Sequence, residues 1–240
     1  TLASMALMPA NEESVRAAAA ILLRGGIVAF PTETVYGLGA MAFDTRAVAR
    51  VFEAKRRPSF DPLIVHVSDD SMLARVASDI PARARLLMER FWPGPLTLVV
   101  RRREELPPIV TSGLATVAVR MPSHPIALAL LRATGAPIAA PSANAFGALS
   151  STRAEHVART LGDRVDCILD GGATTLGVES TILRLEPRAA LLRPGAIAIE
   201  EIESLIGPVE RDVADDAGGP SAPGRLAQHY APRTLSLIHI

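Results

Sequence analysis

The chain has 240 residues, of which 49% are hydrophobic, and its 25 cationic and 25 anionic side chains give a formal net charge of zero. This balance argues against bulk electrostatic binding to nucleic acid or to an anionic membrane, so any RNA contact would need a local patch. The single cysteine, Cys167, excludes an internal disulfide, and its apolar neighbours predict a buried, inert thiol.

Targeting and membrane signals are weak. No apolar run reaches the roughly 18 residues that a membrane-spanning helix needs. The stretch 1–10 is apolar but has no basic segment of the kind that opens a signal peptide. We therefore expect a cytoplasmic protein.

Predicted helices and strands alternate along the chain. The first helix is capped by Asn11 and ends at Gly25–Gly26, and the second is capped by Asp44 and ends at the Lys55-Arg56-Arg57-Pro58 run. Further helices are predicted over 71–77, 81–90, 125–133, 152–161 and 199–206, and a capping box of Thr152 and Glu155 opens the helix over 152–161. Strands are predicted over 27–30, 63–67, 96–100, 116–120, 137–140, 165–169, 180–185 and 190–193.

This alternation predicts an α/β layered domain. Some strands follow one another without a helix between them, so the sheet should be a mixture of parallel and antiparallel strands.

Lys55 is the only lysine among the 25 cationic residues. A coding bias that favours arginine is one explanation of this imbalance. The other is that position 55 lies in a site that requires a compact ammonium group and does not accept a planar guanidinium. The three cations Lys55, Arg56 and Arg57 lie at the C-terminus of a predicted helix, where they would interact favourably with the helix dipole. Alternatively, Lys55 as a point charge and Arg57 as a bidentate donor could clamp a triphosphate.

Polar side chains follow the ends of five predicted strands: Thr32 and Thr34, His66, Arg120, Ser142 with Asn144, and Arg193. Ligands of open α/β sheets bind at strand ends, so this pattern predicts one shared polar pocket. Arg120 needs an anionic partner, either a substrate carboxylate or an internal carboxylate. His66 by itself would be a satisfied strand histidine, and Ser142 lacks the sequence context of a nucleophilic serine. The common phosphate-binding motifs, the Walker A loop and the dinucleotide fingerprint, are absent.

Eight motifs together resemble the YrdC-like family, in consistent order from about residue 10 to residue 232. They are residues 25–39, the Lys55-x-Arg57-Pro58 motif, 62–66, 92–97, 117–122, 140–144, 177–181 and 192–195. The resemblance implies a twisted mixed sheet curved around a deep, positively charged cavity.

The family resemblance also implies a reaction. L-Threonine, bicarbonate or CO₂, and ATP would give threonylcarbamoyl-AMP and pyrophosphate, with Mg²⁺ held mainly by the phosphates and not by protein side chains. A partner complex would then transfer the threonylcarbamoyl group to tRNA, which this chain would contact only indirectly.

The resemblance assigns roles residue by residue. Lys55 and Arg57 resemble the pair at the ATP phosphates and are the catalytic candidates. The further ATP-binding candidates are Ser59, Thr116, Ser142, Asn144, Ser150 and Arg193. The L-threonine-binding candidates are Thr32, His66, Arg120 and Ser180.

The C-terminal part resembles the linker of the two-domain branch of the family. We expect a catalytic domain over 10–207, a linker over 208–232 that crosses the mouth of the site and carries Tyr230, and a truncated tail over 233–240. A second small domain would follow in that branch, and the tail is too short to fold alone.

Three other functional hypotheses remain open on the sequence. The chain could be a carbamoyltransferase of the hydrogenase-maturation type, which would use carbamoyl phosphate and should carry cysteine pairs. It could be a binding module for tRNA or double-stranded RNA without turnover. It could also keep the fold and lack activity without the missing domain.

Overall fold

The computed structural model describes residues 6–211, and the linker and tail predictions for 212–240 lie outside this part. The helices are α1 (Glu12–Leu23), α2 (Thr45–Lys55), α3 (Asp70–Val76), α4 (Ala82–Phe91), α5 (Pro108–Thr111), α6 (Pro125–Thr134), α7 (Ala154–Leu161) and α8 (Ile199–Ile206). The strands are β1 (Ala6–Pro9), β2 (Val28–Phe30), β3 (Gly37–Met41), β4 (Ile64–His66), β5 (Ala77–Asp79), β6 (Leu96–Arg102), β7 (Thr116–Arg120), β8 (Ile138–Ala139), β9 (Cys167–Asp170), β10 (Thr181–Arg184) and β11 (Ala190–Arg193).

The strands form one mixed sheet in the order β1-β9-β2-β3-β8-β4-β7-β6-β10-β11, with β5 beside β6. Strand β7 pairs parallel with β4 and antiparallel with β6, and β6 pairs parallel with β10. The α/β class and the mixed sheet are therefore confirmed. Strands β1, β3 and β5 and helix α5 were not predicted, because each is short and two of the strands lie in segments rich in glycine or alanine.

Two of the predicted helix caps are confirmed and one is wrong. The Asn11 side chain accepts a hydrogen bond from the Ser14 amide at 2.9 Å, and Asp44 accepts from two amides of α2 at 3.0 Å. Helix α7 instead begins after Arg153, with no side-chain cap. Thr152 lies before that position and makes 3.4 Å contacts with His156, so it cannot form the expected capping box with Glu155.

One face of the sheet is covered along its length. The largest apolar cluster joins side chains of α2, α3, α4, α7 and α8 to alternate residues of the strands, among them Val65, Leu98, Val119 and Leu183. These residues lie one position away from His66, Thr97, Arg120 and Ile182, which a strand therefore presents on its opposite face. Apolar burial on the first face holds the sheet in place.

The opposite face is only half covered by helices. Helices α1 and α6 pack on β2, β8 and β9 through residues such as Leu22, Leu130, Phe30 and Ile138. On the other half, a third cluster comprises Ile64, Val99, Ala118, Ile182, Ala190 and Leu192, all of which lie on strands. We call these six residues the apolar floor.

No helix within residues 6–211 is long and apolar enough to cross a membrane.

Candidate active site

A row of side chains on β7 organises the site. Thr116, Ala118 and Arg120 alternate with Val117 and Val119, so all three point to the half-covered face. Ala118 belongs to the apolar floor, and Arg120 pairs in register with His66 of β4. Thr116 lies about 13 Å from Arg120 along the strand, at the rise of a β-strand. The floor thus separates a polar end with Arg120 from a second end with Thr116.

Arg120 is buried and held by three different groups. Its Nη2 lies 2.6 Å from Oε1 of Glu33, its Nη1 donates to Thr34 Oγ1 at 2.8 Å, and its Nε donates to the Gly94 carbonyl at 3.2 Å. Glu33 also accepts from the Ser123 amide at 3.1 Å. Both side chains of the ion pair are at most 9% exposed, so the guanidinium is fixed in position. The anionic partner of Arg120 in this structure is therefore internal.

Thr32 extends this network along the loop after β2. Its Oγ1 donates to the Val35 carbonyl at 2.7 Å and lies 2.8 Å from Thr34 Oγ1, which binds Arg120. The Tyr36 hydroxyl donates to the Gly172 carbonyl at 2.7 Å, which fixes a second loop beside the first. These hydrogen bonds therefore hold the loop that follows β2 against Arg120 and against the second loop.

His66 is a neutral histidine on the site face. Burial, reinforced by the nearby Arg120 charge, lowers its pKa to about 3. Its ring packs edge-on against Phe30 with the ring centroids 6.1 Å apart. His66 therefore offers hydrogen bonds without charge at neutral pH.

Ser180 links the Arg120 end to Arg193. Its Oγ lies 2.7 Å from Thr97 Oγ1 and accepts from Arg193 Nη2 at 3.0 Å, while its carbonyl accepts from Arg193 Nε at 3.0 Å. The turn after Arg193 packs tightly here: a Cβ on Gly195 would lie 2.3 Å from the Thr181 amide nitrogen. Only glycine permits this approach.

Glu179 lies between two of the candidate ATP ligands. Its Oε1 accepts from Ser150 Oγ at 2.7 Å, and its Oε2 lies 3.6 Å from Arg193 Nη2. Burial acts to raise the pKa of Glu179, but the Arg193 charge, the Ser150 hydrogen bond and the Lys55 charge together hold it below its usual value. Glu179 is therefore ionised at neutral pH.

Lys55 is buried at the end of α2 and binds the loop that follows β8. Its Nζ donates to the carbonyl oxygens of Ser142 and Asn144 at 2.5 and 2.6 Å, and the Phe146 amide donates to the Lys55 carbonyl at 2.9 Å. Burial, with the neighbouring Arg57 charge, lowers the pKa of Lys55 to about 7. The Lys55 amine therefore changes between its protonated and neutral forms near neutral pH, and a bound anion would favour the protonated form.

Arg57 forms the most deeply buried ion pair of the site. Its Nη2 lies 2.9 Å from Asp61 Oδ2 and donates to the Pro62 carbonyl at 2.9 Å, and Nε donates to the Asp61 carbonyl at 3.1 Å. The Arg57 and Asp61 side chains are 2% and 0% exposed. Pro62 precedes β4, which pairs in register with β7, so this pair lies toward the Thr116 end of the floor.

The other candidates occupy the surrounding loops. Ser142 is half-buried, whereas Ser59 is exposed and its carbonyl accepts from Ser112 Oγ. The Asn144 amide donates to two carbonyls of its own loop, at 3.0 and 2.8 Å, so it shapes that loop. Tyr230 lies outside the described residues.

Four contributors to this network were given no role from the sequence: Glu33, Asp61, Thr97 and Glu179. Asp61 had a usable signal, since it lies four residues after Arg57, and Thr97 had another, since it alternates with floor residue Val99. Glu33 and Glu179 lie inside the family motifs, but their arginine partners are 87 and 14 positions away, and only the fold brings those pairs together.

Taken together, these elements define an α/β protein with a cluster of cationic, carboxylate and hydroxyl side chains on a half-covered sheet face. A family model described as Sua5_yciO_yrdC, Telomere recombination, matches residues 20–195. The chain belongs to this family, as the sequence motifs predicted.

Relatives with assigned activities share about half of the sequence. The chain is 52% identical over 226 residues to a threonylcarbamoyl-AMP synthase of Bacillus subtilis, covering 92% of this chain and 65% of that protein. It is 50% identical over 232 residues to the threonylcarbamoyl-AMP synthase of Pyrococcus abyssi, covering 95% of this chain and 68% of that one. The crystal structure of P. abyssi Sua5 complexed with L-threonine superposes with a TM-score of 0.90 and 48% identity, over 95% of this chain and 69% of that chain. The chain thus spans about two thirds of the length of these relatives.

The Arg57–Asp61 pair generates a stability prediction. Asp61→Asn removes the carboxylate partner of a buried guanidinium, and we expect the free energy of unfolding to fall by about 3 kcal/mol. Urea unfolding would measure it, with Asp70→Asn as the control. Asp70 pairs with Arg85 at an exposed site, so its loss should change stability by less than about 0.5 kcal/mol. Equal effects of the two substitutions would contradict a structural role for the buried pair.

Proposed function

We propose that the chain is a nucleotidyltransferase that makes threonylcarbamoyl-AMP and pyrophosphate from L-threonine, bicarbonate or CO₂, and ATP. The observation that carries the proposal is the joining of both candidate sets on one sheet face. Ser180, from the threonine set, is hydrogen-bonded to Arg193, from the ATP set, and Arg193 contacts Glu179, which binds Ser150. The names of the relatives, and the threonine bound in one of them, support the same substrates.

Threonine would bind at the Arg120 end. Glu33 and Thr34 already fix the Arg120 guanidinium, and its remaining N–H groups could donate to a substrate carboxylate. The hydroxyl groups of Thr32 and Ser180 and the neutral ring of His66 would bind the polar groups of the amino acid. The apolar floor would accept the threonine methyl group.

ATP would bind over the floor toward Lys55 and Arg57. Lys55 supplies a point charge whose pKa of about 7 would rise on contact with phosphate, and Arg193 supplies a planar fork. Ser142, Ser150 and Thr116 would supply hydroxyl groups to the nucleotide. Ser59 and Asn144 lie on the loops beside it, where they would contact the nucleotide or shape its pocket.

The chemistry needs no nucleophile from the protein. The threonine amine would attack CO₂ with loss of a proton, or bicarbonate with loss of water, to form a carbamate. A carbamate oxygen would then attack the α-phosphate of ATP, break the bond between the α-phosphorus and the bridging oxygen, and expel pyrophosphate. Both reactants are anionic, so the barrier falls mainly through alignment and charge neutralisation. The site has four cations, counting protonated Lys55, and three carboxylates, and this excess of one positive charge supports the proposal of a positively charged cavity.

The wider setting of the reaction is part of the proposal. We assign the catalytic domain to 10–207 and the linker, which includes Tyr230, to 208–232. The labile adenylate would pass to a threonylcarbamoyl-transferase complex that modifies tRNA. Because ATP and tRNA are both present in the cytoplasm, we place the reaction there.

The direct test is pyrophosphate release from ATP and bicarbonate, with and without L-threonine. We expect release that depends on threonine and is much weaker with serine or valine, which lack the methyl or the hydroxyl group. Release driven by carbamoyl phosphate would instead indicate a carbamoyltransferase. Absence of turnover and of ATP binding, with salt-dependent RNA binding, would indicate a binding module.

Lys55→Arg tests the phosphate clamp. The Nζ group lies within 2.6 Å of two loop carbonyls, and a guanidinium is too large and too flat for that position. We expect turnover to fall at least about tenfold, which corresponds to about 1.4 kcal/mol of transition-state stabilisation. Arg56→Lys, the reverse exchange at the exposed adjacent residue, is the matched control and should retain full activity. Unchanged turnover in Lys55→Arg would rule out this role.

A further inference from the structure

The site contains three carboxylates, which differ in their exposure and in the groups that they already contact. Asp61 is fully buried against Arg57, and Glu33 is 9% exposed against Arg120 and also binds the Ser123 amide. Glu179 is 16% exposed, and its contact with Arg193 is long at 3.6 Å. Among the described residues of the site, Glu179 is therefore the carboxylate best able to accept an additional ligand.

The position of Glu179 is also unfavourable for the binding of an anionic ligand nearby. It contacts Ser150 and Arg193, both candidates for binding ATP, and it is ionised. A bare triphosphate approaching these two residues would meet a negative charge at close range, which is repulsive by an amount that depends on the local dielectric. Neutralisation or displacement of Glu179 would therefore favour the binding of such a phosphate.

A divalent cation bound between Glu179 and the phosphates would remove this repulsion. Mg²⁺ in nucleotide sites is commonly held by one or two carboxylates together with substrate phosphates and water. The described residues contain no group of three or more His, Cys, Asp or Glu side chains that could hold a metal ion by themselves. A single carboxylate beside the phosphate ligands fits a metal that arrives with the nucleotide.

We propose that Glu179 is the protein ligand of the divalent cation that accompanies ATP, and so makes this site selective for the metal complex over free ATP. The proposal rests on the proposed function, because it requires ATP to bind at Ser150 and Arg193. It differs from the expectation that the phosphates alone hold the metal. Ser150 and Arg193 then orient the carboxylate in the absence of the nucleotide.

Calorimetric titration at constant ionic strength tests the proposal. The wild-type chain is titrated with MgATP, and with ATP in the presence of EDTA, and the same is done with Glu179→Gln. We expect the wild type to prefer MgATP by about tenfold or more, which lies between the strength of a close charge pair in bulk water and that of a pair near a protein surface. Glu179→Gln should lose most of this preference, chiefly because metal-free ATP now binds more tightly.

Glu155→Gln is the matched control, since it removes one exposed carboxylate from the neighbouring helix α7. It should retain the wild-type preference. If Glu179→Gln weakens both forms of ATP equally, Glu179 only positions Ser150 and Arg193, and the proposal is wrong. If the wild type binds neither form, the proposed function fails as well, so the two failures are distinguishable.

A second measurement does not depend on the folding of a variant. Mn²⁺ replaces Mg²⁺ with a non-hydrolysable ATP analogue bound to the wild-type chain labelled with ¹³C at glutamate carboxyl carbons. Electron–nuclear double resonance should detect a ¹³C coupling from a directly coordinated carboxylate. A spectrum that shows only phosphorus couplings would overturn the proposal.

Discussion

The half-covered face of the central sheet is the constraint on which the rest of this site depends. Strands β4, β6, β7 and β10 each bury one row of side chains against the helices, which fixes the opposite row in space. The opposite row contains His66, Thr97, Arg120 and the floor residues. A shift of one residue in the register of a strand pair would expose the side chains that pack against the helices. Packing on one face therefore fixes the positions of the site side chains on the other face.

Polar groups on that face are tolerated because they bind one another. Three arginines of the site each have a carboxylate partner: Arg57 with Asp61, Arg120 with Glu33, and Arg193 with Glu179. Without these partners, three guanidinium groups on a largely buried surface would destabilise the empty protein. Carboxylate exposure rises from 0% at Asp61 to 16% at Glu179. The three ion pairs therefore stabilise the fold, and they differ in how easily a ligand could reach them.

Much of the architecture could be predicted from the sequence. The alternation of Thr116, Ala118 and Arg120 with two valines already identifies the site face of β7, and the caps at Asn11 and Asp44 identify two helix starts. The short strands β1, β3 and β5 could not be predicted because their own residues carry little strand pattern. Pairing defines them instead: β1 pairs with β9, β3 with β2 and β8, and β5 with β6. The Thr152–Glu155 prediction failed because the tertiary contacts of the loop carry Thr152 away from the helix start. In the site, residue types and spacing suggested the cations, but their carboxylate partners Glu33 and Glu179 required the fold.

The central claim is that ligands bind on the apolar floor between the Arg120 and Thr116 ends. Ala118 lies at its centre, between Ile64 and Val99 on the adjacent strands, and changing it to leucine alters no charge and no hydrogen bond. The most direct measurement is calorimetric titration of L-threonine and of MgATP into the wild type and Ala118→Leu, with urea unfolding to verify that the variant is folded. The account predicts that folded Ala118→Leu loses at least about tenfold in affinity for one or both ligands, since the added side chain occupies their space. Wild-type affinity for both ligands in the folded variant would show that the site lies elsewhere.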